Sequence, residues 1–185
     1  MAELRSSMAD EPTRDASSSW KGKAIEQLIA AKCILASRGR LNVSIPFVDD
    51  AGVDLVFNLR DRPATLAVQV KARFRSASIK RNTFMTQVRR ATFQPRADLA
   101  MLFVLYDDVK LQDLELAWLV PSQEFDGLTQ GQGKSKARLV FASSITGAKG
   151  MWAPFRYESI DLANAVVQLL ETLSRLREPA AGTTR

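Results

Sequence analysis

Residues 53–74 read VDLVFNLRDRPATLAVQVKARF and carry the clearest strand rhythm in the chain. Val53, Leu55, Phe57 and Leu59 alternate with Asp54, Val56 and Asn58. Period-two alternation is the mark of a strand with one buried face. Arg60–Pro63 then break the pattern and turn the chain. From Thr65 to Phe74 the alternation resumes, with Val68, Val70, Ala72 and Phe74 opposite Gln69, Lys71 and Arg73. Two strands joined by so short a turn are expected to pair as an antiparallel hairpin. Gln69 and Lys71 then share a face, with Cα atoms about 6–7 Å apart. Asp54, near the start of the first strand, is expected on the same side where the hairpin opens.

Upstream, Ser17–Ser19 offer N-caps for a helix over Trp20–Arg38, with Gly39 as its stop. Ala24, Leu28, Ala31 and Leu35 form an apolar row, flanked by Ile25 and Ile29. Glu26 lies among Gly22, Ile29, Ala30 and Cys33, small or apolar neighbours that make a carboxylate there conspicuous. The helix is expected to lay Glu26 over the open end of the hairpin. Leu41–Val48 reads as a further strand, ahead of a turn at Asp49–Gly52.

Downstream, residues 76–94 are basic and are expected to be partly helical. Leu99–Tyr106 is almost continuously apolar, as a strand covered on both faces would be. Leu114–Val120 and Arg138–Ala142 read as strands, separated by a Gly/Gln/Lys-rich loop over 127–135. Ser159–Arg177 is an amphipathic helix with Ile160, Ala163, Val166, Val167, Leu170 and Leu173 inward. Trp118, Trp152 and Phe155 are assigned to the core. The order predicts an α/β sandwich with a central mixed sheet flanked by helices. Residues 1–18 are expected to be a disordered tail, 19–178 a single domain and 179–185 a frayed end.

The chain has 185 residues, ordinary apolar and charged fractions, one cysteine and no histidine. Lacking histidine, it cannot use Ser–His or Cys–His nucleophiles or a histidine base. Chemistry falls to carboxylates, amides, lysines and hydroxyls with a hard cation. The lone Cys33, expected as a buried thiol, fits a reducing compartment, and a cytoplasmic protein is expected. No run is long and apolar enough for a membrane span. The net charge is +6 and, from Arg62 to Ala97, no acidic residue occurs. That block makes DNA the expected partner, with Arg73, Arg75, Lys80, Arg81, Arg89 and Arg90 as phosphate contacts. The loop carrying Lys134 and Lys136 is a further candidate.

Asp54, Glu26 and the amide oxygen of Gln69 are hard donors suited to Mg²⁺ (or Mn²⁺). Lys71 stands where it can orient or deprotonate a water, or neutralise charge in a transition state. Asp54, then Gln69-Val70-Lys71 after fourteen intervening residues, with Glu26 on the preceding helix, resembles the PD-(D/E)XK nuclease superfamily. The likeness is to its QxK variants among Mrr-like and Holliday-junction-resolvase-like proteins, and it covers about Trp20–Arg75. It implies a restriction-endonuclease-like fold and Mg²⁺-dependent DNA cleavage in defence, recombination or repair. Asp54, Gln69 and Lys71 are the site it implies, with Glu26 added. A duplex cut on both strands calls for two sites, which a homodimer supplies. Gln69 stands where the family usually has an acid, so the site has one negative charge fewer. The alternatives are an inactive DNA-binding protein on the same fold, or a subunit of a larger nucleic-acid-processing complex. For single residues, the competing readings are a turn-capping role for Asp54, a solvated strand face for Gln69 and Lys71, and an ion pair with Lys23 or Lys32 for Glu26.

Overall fold

The two alternating runs and the uniformly apolar one become neighbouring strands. The structure, a computed structural model, describes residues 14–47, 52–76, 82–109, 114–130, 137–147 and 149–177. Strands β1 (Leu41–Ser44), β2 (Leu55–Leu59), β3 (Thr65–Phe74), β5 (Leu99–Tyr106), β6 (Leu114–Pro121) and β8 (Arg156–Glu158) lie side by side in that order. β3 and β5 are parallel and every other neighbour is antiparallel, so the sheet is mixed. The expected hairpin forms, with Leu55 opposite Val68 and Phe57 opposite Leu66. β5 is buried along its length except at Tyr106, because both faces of the sheet are covered.

One face carries α1 (Arg14–Ala36) and α3 (Leu162–Arg177), packed over Leu55, Phe57, Val68, Val70, Leu102 and Val104. The helix α1 starts at Arg14, inside the stretch expected to be a disordered tail, and residues 1–13 and 178–185 lie outside the described residues. Its buried row is also not the expected one. Ile25, Ile29 and Cys33 face the sheet with Glu26 and Ala30, whereas Leu35 is 76% exposed. Both rows are apolar, so the helix carries no single preferred face of its own. Packing against β1, β3 and α3 selects one. Cys33 is buried as expected, and burial pushes its thiol up to about 12. Arg38 and Gly39 both take left-handed backbone, and the Gly39 N–H donates to the Ile34 carbonyl to close the helix.

The opposite face is covered by a two-stranded antiparallel ribbon, β4 (Thr83–Arg89) and β7 (Arg138–Ser144). The sequence placed a partial helix over 76–94; the described part of it is mainly this strand, followed by a short 3-10 turn at Arg90–Thr92. The reason is non-local. Phe84 and Val88 point inward only because Leu139 and Phe141, far along the chain, complete the same apolar face. Under the ribbon an aromatic core gathers Phe84, Phe103, Trp118, Phe125, Phe141 and Trp152. Phe103 and Phe141 stack with centroids 3.8 Å apart. Trp118 and Trp152 are core, as expected, and Phe155 is half-buried against them.

Two further elements had no clear local signal, the helix α2 (Ser122–Thr129) and β8. The last helix begins at Leu162 after a 3-10 turn, which leaves Ile160 77% exposed rather than inward. Among the described residues no helix is long and apolar enough to cross a membrane.

Candidate active site

The hairpin register places Asp54 just outside β2, beside Gln69. Its backbone N–H donates to the Val68 carbonyl at 2.9 Å, extending the ladder by one step. Its carboxylate accepts from the Val70 N–H, with Oδ2 at 2.7 Å. The carboxylate is thus clipped to β3 between Gln69 and Lys71. On β3, Gln69 pairs with Met101 and Lys71 with Phe103 in parallel register. The row Gln69–Lys71–Arg73 therefore projects to the ribbon side of the sheet.

Glu26 comes from the other side, on α1. It is 7% exposed, and Lys23, one turn earlier, donates to it at 2.8 Å. The sequence allowed that ion pair as the simplest role for Glu26, and the pair is present. It does not exhaust Glu26, because its charge is felt at Asp54. The Asp54 carboxyl is held above its ordinary value, chiefly by burial. The Val70 N–H opposes that shift, the Glu26 charge adds to it, and Lys71 and Lys23 oppose it. Glu26, Asp54 and Lys71, read separately from the sequence, thus lie within one electrostatic neighbourhood.

Gly52 closes the site on the strand-end side. Its φ is +69°, and a Cβ placed there would fall 2.3 Å from the Gln69 side-chain amide nitrogen. The sequence assigned Gly52 to a turn and gave no sign of this contact, which needs the folded hairpin. A Gly52→Ala variant must shift Gln69 and also adopt left-handed backbone. It is expected to lose about 1 kcal/mol or more of stability, read from urea denaturation.

Asp54 ties stability to pH. Its folded-state pKa lies above the unfolded one, so the folded metal-free chain binds the proton more tightly. This contribution is greatest below the ordinary carboxylate value and is lost as pH rises through the folded value. Asp54→Asn removes that loss. The variant is expected to match or exceed the wild type in urea midpoint at pH 7, with the difference in its favour shrinking towards pH 4. A wild type that gains on the variant as pH rises would contradict this.

Two carboxylates and an amide oxygen are hard donors, and the mutual repulsion seen at Asp54 is what a bound cation relieves. Among the described residues no group of three or more His, Cys, Asp or Glu could hold a metal ion. Any cation here would need Gln69, opposite Asp54 on the sheet, as a neutral donor beside the two carboxylates.

The expected phosphate contacts separate. The Arg73 Nε donates to the Met85 carbonyl at 3.0 Å and links the site row to β4. Arg75 grips the Glu115 carboxylate with Nε and Nη2 and lies 3.9 Å from Asp107, so its charge is already met. Arg89 and Arg90 are exposed at the end of β4. Lys80, Arg81, Lys134 and Lys136 lie outside the described residues, as do Asp49 and Asp50.

No family model matches this sequence, and no curated protein does. Among solved structures, the chain is similar to a bacterial homing endonuclease, I-Ssp6803I. The TM-score is 0.51 at 18% identity, over 84% of this chain and 95% of that one. The likeness is one of fold, an endonuclease-like α/β arrangement.

Proposed function

We propose that this chain is a divalent-metal-dependent DNA endonuclease of the PD-(D/E)XK type, in its QxK form. The observation that carries the reading is the clipped Asp54 carboxylate, with Glu26 and Lys71 in its field. The endonuclease-like fold supports it.

Glu26, Asp54 and Gln69 would hold Mg²⁺ or Mn²⁺. A bound cation supplies Lewis-acid polarisation of the scissile phosphate and acidifies a coordinated water. The Val70 N–H fixes the Asp54 carboxylate, so no reorganisation is needed there. Lys71 orients the attacking water and offsets the charge that gathers on the phosphoryl oxygens. Water oxygen bonds to phosphorus, the bond to one sugar oxygen breaks, and that oxygen leaves with a proton. The products are a phosphate monoester and a hydroxyl end. Cutting both strands of a duplex calls for two copies of the site, and a homodimer provides them. The single buried thiol suits the reducing cytoplasm.

Gln69 favours a second reading, a nuclease-fold protein that grips DNA without cutting it. Plasmid and branched DNA incubated with Mg²⁺, with Mn²⁺ and with EDTA separate the two. Nicked or linear product that EDTA abolishes supports the nuclease. Binding with no product under any metal supports the second reading.

A further inference from the structure

We infer that the outer face of the β4–β7 ribbon is a base-reading surface that enters the major groove of duplex DNA. This rests on the nuclease reading only in its choice of a nucleic-acid partner.

The ribbon turns Phe84, Val88, Leu139 and Phe141 inward. Its other face presents Met85, Gln87 and Arg89 from β4 and Arg138, Val140, Ala142 and Ser144 from β7. Arg89 and Arg138 stand directly opposite each other in the register. Like charges in that position destabilise a strand pair. Among the described residues no ion pair relieves either one. A polyanion laid on the face would relieve both.

The surroundings carry the same sign. β4 falls within the acid-free stretch Arg62–Ala97, and β7 within a second, Gly127–Tyr157. Both strands of the ribbon thus come from segments that contain no carboxylate side chain.

The shape fits one groove. An antiparallel pair of seven-residue strands is about 20 Å long, roughly six base-pair steps. A two-stranded ribbon enters the major groove of B-form DNA, whereas that of an A-form RNA duplex is too narrow. The face also holds groups that read base edges. Arg138 donates to the Gln87 side-chain oxygen at 2.9 Å, which steers the Gln87 amide and leaves its NH₂ and the other guanidinium donors to bases and phosphates.

The ribbon is tied to the proposed cutting site. Arg73 continues the row Gln69–Lys71 and bonds the Met85 carbonyl on β4. At the same end, just beyond Ser144, the ribbon is fixed by Arg156, which donates to the carbonyls of Ile145 and Gly147. A duplex seated on the ribbon is therefore held at a set distance from Asp54 and Lys71.

The test is binding in EDTA, which needs no catalysis, using a short fluorescein-labelled duplex of mixed sequence. Between about 50 and 200 mM salt, Arg89→Gln with Arg138→Gln is expected to reduce the salt slope by about 2 and to weaken binding roughly tenfold or more. Guanine N7 methylation, which blocks the major groove, is expected to weaken wild-type binding, and a minor-groove ligand to leave it unchanged. Gln87→Ala is expected to lose roughly tenfold discrimination at one base pair in sequences selected from a random pool. Should the double variant melt early, the N7 and Gln87 results decide. An unchanged slope in a folded double variant, indifference to N7 methylation, equal binding of duplex RNA, or no nucleic-acid binding each overturns the inference. Wild type that binds by these criteria but never cuts would sink the nuclease and leave the ribbon standing.

Discussion

Replacing Lys71 with alanine is expected to lower metal-dependent DNA cleavage by about 10²–10⁴-fold, with little change in melting temperature. The side chain is half-buried on β3, one residue beyond the Val70 N–H that clips Asp54. On the proposed mechanism, removing it takes away the cation beside the reacting phosphate. It also removes one of the charges that hold the Asp54 pKa down, so the carboxyl protonates more readily and competes less well for metal. The loss should therefore appear in kcat and also as a raised metal requirement. Lys71→Arg is expected to recover part of the activity, because it restores charge but not the compact ammonium. The backbone pairing of Lys71 with β5 does not use the side chain, which is why the fold should persist. Cleavage by Lys71→Ala at the wild-type rate would remove Lys71 from the chemistry.

Phe141→Ala is expected to cost about 3–5 kcal/mol of stability, among the largest single losses available in this chain. Phe141 is fully buried at the centre of the aromatic core. It stacks on Phe103 of the central sheet and meets Phe84, Trp118 and Trp152. It thereby joins β4, β5, β6 and the segment after β7. Its loss leaves a cavity under the ribbon that neighbouring rigid rings cannot close. Denaturant unfolding should show a large drop in midpoint, and hydrogen exchange should show β4 and β7 losing protection before β3 and β5. A loss under about 1 kcal/mol would mean that the ribbon is held elsewhere.

The parts of the site that were legible belong to local pattern. Asp54, Gln69 and Lys71 sit on two strands joined by a short turn, so alternation alone put them on one face. The bounds of β3 could be read from the same alternation, and those of β5 from its continuous apolar run. Glu26 stood out because a carboxylate among small apolar helix neighbours is unusual, and it is buried. What the sequence missed depends on partners far along the chain. β4 looked like a basic helix, since Thr86 interrupts its apolar rhythm and its partner β7 comes long after it. The inward row of α1 was misread because two of its faces are apolar. The contact of Gly52 with Gln69 and the bond from Val70 to Asp54 arise only when the hairpin and its preceding loop are closed.

By itself, then, the sequence determined the period of β2 and β3, the absence of histidine chemistry, the acid-free basic block and the shared face of Asp54, Gln69 and Lys71. These are properties of neighbours along the chain, where spacing and residue type suffice. Tertiary structure alone decided which side of α1 is buried, that the basic segment becomes half of a ribbon, and that Asp54 is buried with Glu26 and Lys71 in its field. Each of these results from burial and long-range pairing, whose free energy belongs to two distant segments together and to neither alone.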